Sequence, residues 1–128
     1  MEMEVSFPGG VAVEAHFAGF TVRTDQPTDA GGGNSAPSPY SLFFASLATC
    51  AGFYALRFCQ VRQIDTAGLG LKLLMDRDAQ GHVATIRIEL RLPPDFPEKY
   101  KGAIVRAVDG CTVKRTVLDP PKFEIVTV

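Results

Sequence analysis

The chain has 128 residues, 46% of them hydrophobic, three cysteines and a formal net charge of −1. That size and apolar content suit a single domain, 1–128, with an ordinary core, and a chain with no basic stripe is a poor match for nucleic acid as its main partner. Met1-Glu2-Met3-Glu4 has neither a basic region nor an early apolar run, so no secretory signal and a reducing, cytoplasmic setting are expected.

Met1, Met3, Val5 and Phe7 alternate with Glu2, Glu4 and Ser6, the period of a half-buried strand. Pro8-Gly9-Gly10 turns the chain, Val11 to Phe17 alternates again, Ala18-Gly19 breaks the run, and Phe20 to Thr24 resumes it. This predicts a three-stranded antiparallel meander. Residues 25–38, rich in Gly, Pro, Asn, Asp and Ser, read as a loop, with Gly31-Gly32-Gly33 as a flexible stretch. Ser38-Pro39 then reads as a helix N-cap followed by proline at the first helical position. The helix should run from Pro39 to about Gln63, uncharged from Tyr40 to Leu56 and gaining Arg57, Gln60 and Arg62 toward its end.

Leu69, Leu71, Leu73 and Met75 alternate into a strand, Asp76 to Gly81 turns, and Ile86, Ile88, Leu90 and Leu92 alternate with Arg87, Glu89 and Arg91: a hairpin ended by Pro93-Pro94. Tyr100, Ile104 and Val108 fall four apart, predicting an amphipathic helix over Pro97–Asp109 with Gly110 to terminate it. A short helical turn should start near Cys111, and Phe123 to Val128 has the composition of a last strand. The order of elements is that of an α+β domain with mostly antiparallel sheet.

A helix apolar on most of its circumference cannot be covered by one small sheet, so a homodimer enclosing two such helices is expected. The alternative, a membrane span, fits poorly with Ser41, Ser46, Thr49 and Tyr54 inside the run and no interfacial Trp.

Cys50 lies deep in the apolar helix. A thiol there is either inert packing or a reagent sheltered from water, because burial raises a thiol pKa unless a cation or donor compensates. Helical spacing places Ser46, Leu47, Phe53 and Tyr54 on the side of Cys50, while Arg57 lies too far along the axis to assume a contact. Cys111 opens Cys111-Thr112-Val113-Lys114-Arg115 and is either a thiol packed in a loop or one whose pKa a helix start and two cations would depress. Cys59 reads as packing. There is no C-x-x-C, and His16 and His82 sit beside solvent-alternating strands, so no metal site and no cofactor are expected.

Two stretches, Pro37-Ser38-Pro39-Tyr40-Ser41-Leu42 through Ala45-Ser46-Leu47-Ala48-Thr49-Cys50 and Asp109-Gly110-Cys111-Thr112-Val113-Lys114-Arg115, together resemble the OsmC/Ohr-like family of thiol-dependent hydroperoxide-reducing proteins. The resemblance implies an α+β fold and an intertwined homodimer, antiparallel sheets enclosing a long central helix from each subunit. It implies a cysteine-based peroxidase of the oxidative stress response: Cys50 is peroxidatic and forms a sulfenic acid, and Cys111 resolves it to a disulfide. A small or protein dithiol would recycle that disulfide, and the substrate would be an organic hydroperoxide or hydrogen peroxide. Peroxidases of the family pair the reactive cysteine with an arginine held by a glutamate. Here Tyr40 and Ser41 follow Pro39 where that glutamate is expected, and the turn Pro8-Gly9-Gly10-Val11 lacks the arginine. Arg23 and Arg115 are the possible substitutes, with Arg23 the candidate thiolate activator. Tyr40, Phe43, Phe53 and Tyr54 are the candidate substrate contacts. The apolar helix face with Phe43, Phe44, Phe53 and Tyr54 could instead line a dimer-interface pocket for a hydrophobic ligand in a protein without turnover, and a thiol redox sensor is a third reading.

Overall fold

The computed structural model describes residues 1–128, in two compact units, Met1–Ala45 and Ser46–Val128. The first unit holds a meander of β1 (Glu4–Gly9), β2 (Ala12–Phe17) and β3 (Phe20–Thr24), paired antiparallel in the order β1-β2-β3. Ala18 and Gly19 close the β2–β3 hairpin with φ of 48° and 81°, the positive pair that a two-residue turn matched to strand twist requires. Phe17 and Phe20 face each other across that turn. A register shift between Ser6 and Gly9 carries β1 two residues past its expected end, and Val5 and Phe7 stay 54% and 80% exposed.

The loop that follows is built around one buried carboxylate. Asp25 accepts hydrogen bonds from the Ser35 hydroxyl at 2.7 Å, the Ser35 N–H at 3.0 Å, the Gln26 N–H at 2.8 Å and the Gly33 N–H at 3.1 Å. The Ser35 hydroxyl, the Ser35 and Gln26 amides and the Gly33 amide outweigh desolvation and hold the Asp25 pKa down to about 2. Gly32 is needed for space: a Cβ there would stand 1.9 Å from the Gln26 carbonyl oxygen. The glycine run, expected as flexible, is a close backbone crossing.

The long helix α1 (Pro39–Val61) starts as its sequence predicts, with the Ser38 hydroxyl accepting the Ser41 N–H at 3.1 Å, and stops two residues short of Gln63. It is long and apolar enough to cross a membrane by length and composition alone. Its Ala51, Ala55, Phe58 and Cys59 instead form one stripe of a protein core.

In the second unit that stripe packs with Phe96, Ile104 and Val108. The hairpin of β4 (Gly70–Arg77) and β5 (Val83–Arg91) turns on Asp78, whose carboxylate accepts the Gln80 and His82 amides. Its register sets Leu71 opposite Leu90 and Leu73 opposite Ile88, and Leu71, Ile88 and Leu90 join the core. After a 3-10 turn at Glu98–Tyr100 comes α2 (Lys101–Asp109), which buries Ile104 and Val108 on the predicted face. Phe58 meets Phe96 in a stacked pair at 6.5 Å and Tyr100 edge-on at 6.0 Å, and Arg62 lies 3.7 Å above the Phe58 ring. Gly110 ends α2 with φ −76°, so the left-handed conformation that favours glycine is not used here.

Cys111 separates α2 from α3 (Thr112–Leu118). Beyond it the structure departs from expectation. The segment Phe123–Val128, predicted as a strand, pairs with nothing in the chain, and Phe123, Ile125 and Val126 are 85%, 98% and 78% exposed. Strand composition alone does not make a strand; the backbone N–H and C=O groups need a neighbour.

Candidate functional site: a thiol pair at the start of a short helix

All groups of this site belong to the second unit. The stripe Ala51–Ala55–Phe58 anchors α1, and Cys50 and Tyr54 project one position away from it, toward the start of α3. Cys111 is the N-cap residue of α3, extended at φ −49° and ψ 127°, and is 1% exposed; Cys50 is half-buried. The two thiols come within hydrogen-bond reach of each other, and neither is in a disulfide.

The electrostatics separate the two sulfurs. Burial pushes the Cys50 thiol up, but the Val113 N–H, the Cys111 thiol and the Thr112 N–H all donate to its sulfur and together bring its pKa below the ordinary thiol value. Cys111 goes the other way: burial raises it, and so does giving its own S–H to Cys50, against weaker opposition from the Lys114 and Val113 amides. The sequence expectation of a depressed pKa at Cys111 is therefore corrected. The helix-start amides serve its neighbour, and Lys114 is engaged with Asp109. The arrangement favours the anion at Cys50 and the shared proton on Cys111.

The other candidates are placed as follows. Arg23, on β3, pairs with Glu14 at 3.4 Å. Arg115 is an exposed residue of α3, and Arg57 is bonded to Gln60 at 2.9 Å. Tyr40 and Phe43 both pack edge-on against Phe44, at 4.8 and 5.2 Å, and Phe53 is 57% exposed. Tyr54 makes a hydrogen bond to the Thr112 hydroxyl at 2.9 Å. Cys59 is wholly buried in the core, its thiol pushed up by burial against the charge of Arg62. A cavity of about 730 Å³ lies among Ile86, Ile88, Val105, Val108 and Leu118, with Cys111 in its wall; none of the four aromatic candidates lines it. Sequence reasoning missed the donors on Cys50, because backbone amides carry no residue-type signal; the one legible hint was a helix start after Gly110.

Comparison with known proteins agrees with this architecture. The family described as OsmC-like protein matches residues 31–126. No curated protein matches the chain. Among solved structures, one from Psychrobacter arcticus 273-4, provisionally described as an osmotic stress induced and detoxification response protein, superposes with a TM-score of 0.74 at 22% identity, over 89% of this chain and 85% of that one. An organic hydroperoxide resistance protein OsmC from Legionella pneumophila superposes with a TM-score of 0.55 at 16% identity, over 91% of this chain and 89% of that one. At such identities the superpositions establish the fold, and the sequence match covers three quarters of the residues. The antiparallel sheets and the long helix are thus those of a known fold, and with the family match over residues 31–126 the chain belongs to the OsmC-like protein family.

Proposed function

We propose that this protein is a thiol peroxidase that reduces organic hydroperoxides or hydrogen peroxide in a stress response. The observation that carries the reading is the polarised thiol pair: Cys50 bonded to the Val113 and Thr112 amides and to the Cys111 thiol. The Cys50 thiolate attacks the outer oxygen of the hydroperoxide; an S–O bond forms, the O–O bond breaks, and the departing alkoxide takes a proton to leave as an alcohol. The Cys111 sulfur then attacks the sulfenic acid, forming the disulfide and releasing water, before further oxidation of Cys50 can compete. An external dithiol returns both thiols by two exchange steps and becomes a disulfide itself. The family match and the hydroperoxide resistance protein among the structural neighbours support the substrate class.

Treatment of the reduced protein with cumene hydroperoxide should give one new disulfide, Cys50–Cys111, mapped by mass spectrometry, with Cys59 left as a thiol. The cavity of about 730 Å³ favours a second reading, an apolar ligand held without redox turnover. All three thiols surviving hydroperoxide unchanged would select that reading.

The working unit is proposed to be a homodimer. Phe53, in the uncharged part of α1, is 57% exposed, and the β-rich segment 123–128 lacks a strand to pair with. Sedimentation should give twice the chain mass at micromolar concentration, and a stable monomer there would rule the dimer out.

A further inference from the structure

Tyr54 and Thr112 are far apart in the chain, yet their hydroxyls meet at 2.9 Å. Tyr54 follows Cys50 by one turn on the same side of α1. Thr112 is the first residue of α3, and its N–H is one of the donors on the Cys50 sulfur. The bond therefore joins the helix that carries the sulfur to the segment that carries the donors, directly beside the sulfur.

Helix α3 has seven residues, too few to hold a helical conformation or an orientation without tertiary contacts. It enters from Cys111, whose N–H donates to the Val108 carbonyl at the end of α2 at 3.1 Å. On another side Lys114 is tied to Asp109 at the end of α2. That pair fixes α3 to the helix before it; the Tyr54–Thr112 bond fixes it to α1. A hydrogen bond weakens steeply once the donor tilts away from the acceptor, so a small rotation of this start would uncouple the amides from Cys50.

We propose that the Tyr54–Thr112 hydrogen bond is a latch that seats the start of α3 on α1, making Tyr54 a positioning residue for the Cys50 thiolate. The assignment rests on Cys50 acting as a thiolate, as the proposed function requires, and does not depend on hydroperoxide being its partner. It also gives Tyr54 a role other than the substrate contact expected from the sequence.

The test is the alkylation rate of Cys50 by iodoacetamide as a function of pH, followed on the Cys50 peptide in the reduced full-length protein. Tyr54→Phe and Thr112→Val should each move the midpoint to higher pH by about half a unit to one unit, slowing alkylation at pH 7 by about 3- to 10-fold. Thr112→Ser keeps the hydroxyl and should retain the wild-type profile. The double variant Tyr54→Phe/Thr112→Val should match either single one, since both delete the same bond. A wild-type midpoint in Tyr54→Phe overturns the latch, and so does a shift in Thr112→Ser as large as in Thr112→Val. Should Tyr54→Phe fail to fold, the comparison of Thr112→Val with Thr112→Ser decides alone. A parallel sample given cumene hydroperoxide separates the two claims: shifted alkylation profiles with no oxidation of wild-type Cys50 uphold the latch and remove the peroxidase.

Discussion

Cys50→Ser should lose hydroperoxide consumption by more than about 10³-fold, the scale on which deletion of a covalent nucleophile acts. In the proposed mechanism the nucleophile is the Cys50 thiolate, favoured by the Val113 and Thr112 amides and the Cys111 thiol; a serine hydroxyl in the same cradle stays protonated at any working pH. The wild-type rate should climb with pH and level off below the ordinary thiol range. The sign follows from the direction of the shift: a lowered pKa means the reactive anion is already formed at pH values where a free cysteine is still a thiol. Cys111→Ala should behave differently from Cys50→Ser. It removes one donor from Cys50, so the rise in rate moves to higher pH. It also removes the proposed resolving sulfur, so a first hydroperoxide makes the Cys50 sulfenic acid and, without added thiol, a second one oxidises it to sulfinic acid in place of the disulfide. Consumption of cumene hydroperoxide with dithiothreitol as reductant measures all three proteins. Turnover by Cys50→Ser at the wild-type rate would end the assignment of Cys50 as nucleophile.

The largest stability loss is expected at Ile104→Ala. Ile104 is 0% exposed and lies on the core face of α2, in one cluster with Ala51, Ala55 and Phe58 of α1. Truncation removes buried methyl groups from the cluster with Ala51, Ala55, Phe58 and Phe96 and leaves a void among them, so about 3 kcal/mol should be lost. At roughly 3–6 °C per kcal/mol for a domain of this size, Tm should fall by on the order of 10–20 °C. Ile104→Val, which loses one methyl group, should cost about 1 kcal/mol. Val105→Ala is the internal comparison: Val105 is 58% exposed, and its truncation should cost less than about 0.5 kcal/mol. Thermal denaturation of the three variants decides it, and equal losses at positions 104 and 105 would contradict the packing described.

Much of this architecture is legible before any coordinates, for identifiable reasons. Ser38-Pro39 marks the start of α1 because capping involves residues three apart. The 100–104–108 spacing identifies the buried face of α2, and the alternation on either side of Asp78 sets the β4–β5 register. Gly32 was misread because a sequence cannot distinguish a glycine kept for space from one kept for freedom; only the Gln26 carbonyl beside it does. The segment 123–128 was misread for the converse reason, since β composition is local and pairing is not.

Residue order alone marks the helices and the paired hairpin strands, because periods of 3.6 and 2 are properties of a short stretch of backbone; it does not supply the pairing that segment 123–128 lacks. It also marks Cys50 and Cys111 as the sulfurs to examine. Which of them holds the proton was decided by the folded chain. The donors that lower Cys50 are peptide N–H groups of Thr112 and Val113, present in every sequence and informative only once α3 is set against α1. Charge at a buried sulfur is a sum over neighbours in space, and most of those neighbours are distant along the chain.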